Sequence, residues 1–313
     1  MSRAVKILIS MLFLVPLPAF AGVGADDLPP GTRWYLHADL KQMRESASGR
    51  ELYGWMDAEI FMEIHEDVGI DINKEADRIT AFSSADRGTI VVLEGAISKE
   101  TQDKILALSA AESKFDVRSH KGKTYYHLQD MNGPGRENRK NRDSGISFDG
   151  LENEAFYSFA IRNKLIVASS DEEIRAMLDS GGKVSGSAAH AGSLFVLTAD
   201  KSFVQAGLKT DDLADEEEGW KSNIVRNTEQ IALLVSESNE HIAVEAQLVS
   251  ADPVMAQSIG SIVNGLISLQ MFNSELDPEL RTLIQNTRVQ VKEKVLSIST
   301  VINPKTIVQA LND

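Results

Sequence analysis

The sequence predicts an α+β fold: two tandem copies of an antiparallel sheet with helices packed on one face. Three observations carry this reading. Blocks of similar sequence occur twice in the same order, alternating apolar segments come in pairs joined by short polar turns, and helix-start signals follow the strands.

The repeat is read from three matches. "YLHADLKQM" (Tyr35 to Met43) matches "VLTADKSFV" (Val196 to Val204), sharing Leu-x-Ala-Asp. "ITAFSSADRGTIVVLEGAIS" from Ile79 matches "IALLVSESNEHIAVEAQLVS" from Ile231. "AIRNKLIVASSDEEIRAML" (Ala160 to Leu178) matches "QVKEKVLSISTVINPKTIVQAL" (Gln290 to Leu311). Each block is common by itself, and the shared order is what carries weight. The units run over 27–182 and 192–313, and 183–191, within the Gly/Ser-rich stretch Gly181 to Ser193, is the linker.

Within each unit the period switches regularly. His241 to Val249 alternates, with Ile242, Val244, Ala246 and Leu248 on one side and His241, Ala243, Glu245 and Gln247 on the other, so it reads as a strand with one wet face. Glu237 to Glu240 joins it to Ile231–Val235 as a hairpin, and Ala85 to Gly88 does the same in the first copy. Tyr53, Met56, Ile60, Ile64 and Val68 form a helical stripe ended by Gly69. Ser170 with Glu173 is a capping box; Asn303-Pro304, Asp252-Pro253 and Asp277-Pro278 open three more helices. Asp39 and Asp200, at matching strand ends, read as acceptors for the first amides of the next helix.

The N-terminus carries Arg3 and Lys6, then the apolar run Ile7 to Phe20 and the small-x-small signal Ala19-Phe20-Ala21. Residues 1–21 read as a cleaved secretory signal, cut after Ala21 or alternatively before Asp26. The run is too short to span ~30 Å of hydrocarbon comfortably and contains Pro16 and Pro18. No cysteine occurs in the chain, which excludes lipid attachment at an N-terminal cysteine and disulfide staples. The expectation is a periplasmic protein with no transmembrane anchor after cleavage. Losing Arg3 and Lys6 takes the formal charge from −14 to −16, which argues against nucleic acid and anionic lipid as main partners. Local charge runs, acidic at Asp211 to Glu218 and basic at Gly135 to Asp143, read as solvated loops.

Reactive constellations are missing from the pattern. His37, His65, His120, His127, His190 and His241 show no metal-ligand spacing, although His120 and His127 would face each other if Lys121-Gly122-Lys123 is a turn. There is no Gly-x-Ser-x-Gly, no Ser-x-x-Lys, no thiol and no phosphate loop, so neither enzyme activity nor a cofactor is expected. The layout, with its early Tyr35-Leu36 strand and its "NKLIVASS…EEIRAML" ending, loosely resembles exported bacterial proteins classed only as domains of unknown function. That resemblance implies no activity and transfers no residues.

Two segments remain as candidate contact sites. The insertion 130–154, absent from the second copy, carries Arg136, Arg139, Lys140 and Arg142 and reads as a mobile protein-contact loop. On Asp252 to Phe272, Met255, Ile259, Ile262, Leu266 and Leu269 form one apolar stripe. Ser258, Ser261, Gly265 and Ser268 form a stripe of small residues beside it. One stripe is expected on the sheet and the other on the helix from Pro278, with its Leu280, Leu283 and Ile284; otherwise the small stripe meets a partner helix or an apolar ligand. The function expected is a non-enzymatic exported protein binding an envelope protein or peptide. The alternative is a carrier or sensor of an apolar ligand held between sheet and helices.

Overall fold

The computed structural model describes residues 28–62, 64–65, 70–84, 88–112, 114–129, 151, 154–184, 192–207, 224, 226–272 and 278–312. The signal segment, the 185–191 part of the linker and the four basic loop residues Arg136, Arg139, Lys140 and Arg142 lie outside them. The strands are β1 (Thr32–Asp39), β2 (Arg78–Ser84), β3 (Gly88–Glu94), β4 (Lys114–His120), β5 (Lys123–Gln129), β6 (Glu154–Ser158) and β7 (Lys164–Ala168). They continue with β8 (Ser193–Asp200), β9 (Thr228–Ser238), β10 (His241–Ser250), β11 (Arg288–Lys292) and β12 (Val295–Ile302). The helices are α1 (Leu40–Glu45), α2 (Gly49–Met56), α3 (Ile72–Glu75), α4 (Lys99–Glu112), α5 (Asp171–Asp179), α6 (Lys201–Gly207), α7 (Pro253–Met271), α8 (Pro278–Gln285) and α9 (Pro304–Asn312).

The twelve strands of the described residues form one sheet in the order β11-β12-β10-β9-β8-β1-β2-β3-β7-β6-β5-β4, and every neighbouring pair is antiparallel. The two units 27–182 and 192–313 therefore do not close separate interiors. β1 and β8 pair directly, with Leu36 opposite Leu197, and the cores run across that seam. One core joins Leu40, Leu93 and Leu165 to Leu233, Val244 and Ile302, and another joins Tyr35, Phe82 and Ile166 to Val196 and Leu234. The physical reason is that an apolar strand pair left as two open edges would expose unpaired amides, and joining them satisfies both.

Helices on a single face are also corrected. Register places Leu36, Ala81 and Leu197 on one side and Tyr35, Phe82 and Thr198 on the other. α5 puts Ile174, Met177 and Leu178 into the core with Tyr35 and Phe82, whereas α1, α2 and α9 bury Leu40, Tyr53 and Ile307 in the core of Leu93 and Leu165. In the first half the strands are apolar both ways, as β3 shows with Ile90 and Val92 against Val91 and Leu93, so a second layer is required. β10 likewise has no wet face. Glu245 and Gln247 are buried, and the Gln247 amide donates to Glu245 Oε1 at 2.7 Å.

Local chemistry sets the element boundaries. Asp39 accepts from the Gln42 amide at 2.9 Å, Asp200 from Phe203 at 2.8 Å, Ser170 from Glu173 at 3.3 Å and Asp252 from Met255 at 2.8 Å. β9 turns into β10 through Asn239 and Glu240, both at positive φ (49° and 63°), the two-residue turn that matches strand twist. Lys121 and Gly122 do the same between β4 and β5. That turn pairs His120 with Lys123 and His127 with Asp116, so the two histidines do not face each other. The helical stripe from Tyr53 is not one regular helix: it passes into a π-helical turn at Asp57–Phe61, which leaves Ile60 partly in solvent.

Candidate interaction surface

α7 is a 19-residue helix with no charged residue from Pro253 to Met271, in a chain that is 25% charged. It lies across β12, β11 and β10. Ala256, Ile259, Gly260 and Val263 are its buried residues, and Ile259 and Val263 share a core with Leu248, Leu296 and Ile298. The close approach is made at Gly260, where a Cβ would lie 2.6 Å from Val291 Cγ2 and 3.4 Å from Leu296 Cδ1.

The opposite side of α7 is the unusual one. Val254, Leu269 and Phe272 are 76%, 67% and 85% exposed, and Ile262 and Leu266 are 40% exposed. At 100° per residue these five positions span about a third of the helix circumference. The candidate small residues Ser258, Ser261, Gly265 and Ser268 lie within and beside this arc, all exposed. Their serine hydroxyls donate back to the carbonyls of Val254, Gln257 and Asn264, and a Cβ at Gly265 would meet nothing within 4 Å. The assignment of the two stripes is thus corrected. Ile262, Leu266 and Leu269 of the expected apolar stripe face outward, and the small stripe packs on neither the sheet nor α8. The core side lies about 100° further round than the apolar stripe, on Ala256, Gly260 and Val263. Gly260, five residues before Gly265, is the sequence signal for that close approach. On α8, Ile284 is buried and Leu283 packs against the large core; the Leu280 side chain lies outside the described residues.

The base of the inserted loop is firmly held. Gln129 and Glu154 pair across β5 and β6. His127, buried and stacked on Phe156 with centroids 4.3 Å apart, accepts at Nδ1 from Arg118 at 2.7 Å, so its Nε2 carries the proton donated to Glu154. Arg118 also donates to Asp171, which accepts from Tyr125 and pairs with Arg175. Burial alone would raise the Asp171 carboxyl, but Tyr125 and the two arginines hold it below the usual carboxylate range.

A cavity of about 520 Å³ opens between the β9–β10 turn, α8 and the start of α9, lined by Asn239, His241, Leu283, Asn286, Ile302 and Asn303 among others. Polar side chains such as Asn239 and Asn303 rim it, but its lining surface is mainly apolar, and no residue of α7 contributes to it. Among the described residues no three His, Asp or Glu side chains converge on a cation site, and no helix is long and apolar enough to cross a membrane.

Together these features define an open, twelve-stranded antiparallel α+β sheet protein with an uncharged helix on its surface. No protein-family model and no curated protein matches the chain. It is similar to a solved structure titled crystal form IV of TP0453, with 11% identity over 94% of this chain and 98% of that one, at a TM-score of 0.52. Crystal form III of TP0453 aligns at 12% identity over 93% and 98%, with a TM-score of 0.49. At that identity the first likeness speaks for the fold alone.

Proposed function

We propose that this is a non-enzymatic, exported binding protein that docks another protein on the outward face of α7. The observation that carries the reading is the apolar arc of Ile262, Leu266, Leu269 and Phe272, exposed on a helix that lacks any charge. Surface helices of soluble domains ordinarily carry charged residues on the solvent side, and a contiguous exposed apolar face marks an interaction site. The small residues between these side chains allow a partner helix to approach closely. A carrier of an apolar ligand held beneath α7 is less well supported, since Gly260 closes α7 onto the sheet and the cavity beside the β9–β10 turn takes no residue from α7.

The repeat belongs to the same proposal. From the β1–β8 seam the sheet order runs β2, β3, β7, β6 one way and β9, β10, β12, β11 the other, the order expected of two copies, with β4–β5 as an added hairpin in the first. The closing helices differ, α5 and α9 joining different cores. On this reading the duplication builds a rigid platform and the second copy presents α7.

The test is a double substitution, Leu269→Glu with Phe272→Glu, at positions exposed enough to leave the fold intact. Complexes isolated from the periplasm with the wild-type chain should be lost with this variant and retained with Lys99→Glu on α4. Retention by the double variant, or a bound species that proves to be lipid, would overturn the proposal.

A further inference from the structure

The two ends of the sheet differ in the signs of their charges. β4 and β11 are the edge strands, and an edge strand presents a row of backbone amides and carbonyls without ladder partners. On β4, register puts Asp116 and Arg118 on the face of His127 and Tyr125, and Phe115 and Val117 on the other. Val117 is 65% exposed and the Asp116 side chain equally so.

The geometry points to a symmetric dimer in which β4 pairs antiparallel with β4 of a second copy, the two-fold axis passing through Val117. A two-fold axis normal to the sheet keeps each residue on its own face, and residues directly opposite share a face, so the axis must fall on a residue. Placed at Asp116 it sets that carboxylate against itself and Arg118 against Lys114. Placed at Arg118 it opposes two guanidinium groups. Placed at Val117, the midpoint of Lys114–His120, it uses the whole strand. Asp116 then lies opposite Arg118 twice, a square of four charges alternating in sign, with Val117 against Val117 on the other face. Placed at Phe115 it leaves half the strand overhanging.

β11 behaves oppositely. Its midpoint is Gln290, and pairing with itself sets Arg288 against Lys292 twice, like charge on like. That is how edges are protected from association; β4 carries three charged residues to the two of β11, but of both signs and in an arrangement complementary to its own copy. The contact is a single strand wide, so it belongs with interfaces below ~1,200 Å² and a dissociation constant in the micromolar range or weaker.

The chain has no cysteine, so one introduced thiol reports register directly. Under mild oxidation Val117→Cys is expected to give a covalent dimer. Ser119→Cys, whose copies would sit about 13 Å apart at ~3.3 Å per residue, is expected to stay monomeric. In sedimentation equilibrium of the full mature chain from ~10 μM to ~500 μM the wild type should approach twice the monomer mass. Asp116→Lys, at an exposed position, should weaken dimerisation by about tenfold or more, less so at high salt, while Gln290→Lys leaves it unchanged. A monomer throughout, species larger than a dimer, cross-linking through position 119 instead of 117, or a dimer indifferent to Asp116→Lys would each overturn the inference.

Discussion

Two glycines five residues apart on α7 should respond to the same substitution with opposite signs. Gly→Ala in a helix interior ordinarily stabilises by about 0.5–1 kcal/mol, because alanine loses less backbone entropy on folding. At Gly265 nothing opposes that gain, since a Cβ there meets no atom within 4 Å. At Gly260 the Cβ would stand 2.6 Å from Val291 Cγ2, and the valine is β-branched, stiff at χ1 and fixed in β11. Inserting a methyl into such a contact costs about 1–3 kcal/mol, so the net effect is a loss of about 1 kcal/mol. The two variants should differ by roughly 2 kcal/mol, a separation of several degrees in melting temperature for a domain of this size. Thermal unfolding followed by far-ultraviolet circular dichroism reads the difference. A stabilised Gly260→Ala, or a destabilised Gly265→Ala, would show that α7 is rotated from the orientation described here.

Three further outcomes are expected. Asp39→Ala removes the acceptor for the Gln42 amide and the ion pair with Arg78 at 3.0 Å, and should cost about 1–2 kcal/mol; an unchanged melting temperature would deny the cap its role. For Glu75, burial alone would raise the pKa, but hydrogen bonds from the Ser98 amide and Thr101 hydroxyl outweigh it and hold the carboxyl below its usual value. A carboxylate depressed in the folded state contributes stability above its unfolded pKa near ~4.3 that is lost as pH falls through the folded value. Urea titrations below about pH 4 should therefore show a shallower decline for Glu75→Gln than for wild type. Deleting Gly133 to Ser144 should leave the melting temperature unchanged, because the loop springs from the paired residues Gln129 and Glu154; global unfolding on deletion would make the loop part of the core.

What was legible in the sequence was local. Ser170, Asp252, Asp39 and Asp200 announced their helices because a cap is decided within four residues of chain, and the β9–β10 hairpin was legible because alternation and a polar turn suffice. What was illegible depended on distant partners. The β1–β8 pairing joins residues more than 150 positions apart, with no local trace of which edge meets which. α7 shows the same limit. Its apolar residues cover more than half the circumference, so periodicity allowed two orientations, and only the position of Val291 on β11 selects Gly260 over Gly265 as the contact. Glu245 and Gln247 give β10 the alternation of a half-wet strand, yet both are buried and bonded to each other, a pairing that alternation alone does not reveal. The sequence also held the absence of charge from Pro253 to Met271, a feature that points to a covered surface once the helix is seen to be exposed.

The central claim, that α7 receives a polypeptide partner, is met most directly by a photo-cross-linking residue placed at Leu269 in the living cell, with Lys99 as the control position. Adducts of discrete protein mass at 269 and none at 99 are the predicted result. Adducts of equal yield at both positions, or lipid-sized adducts at 269, would contradict it.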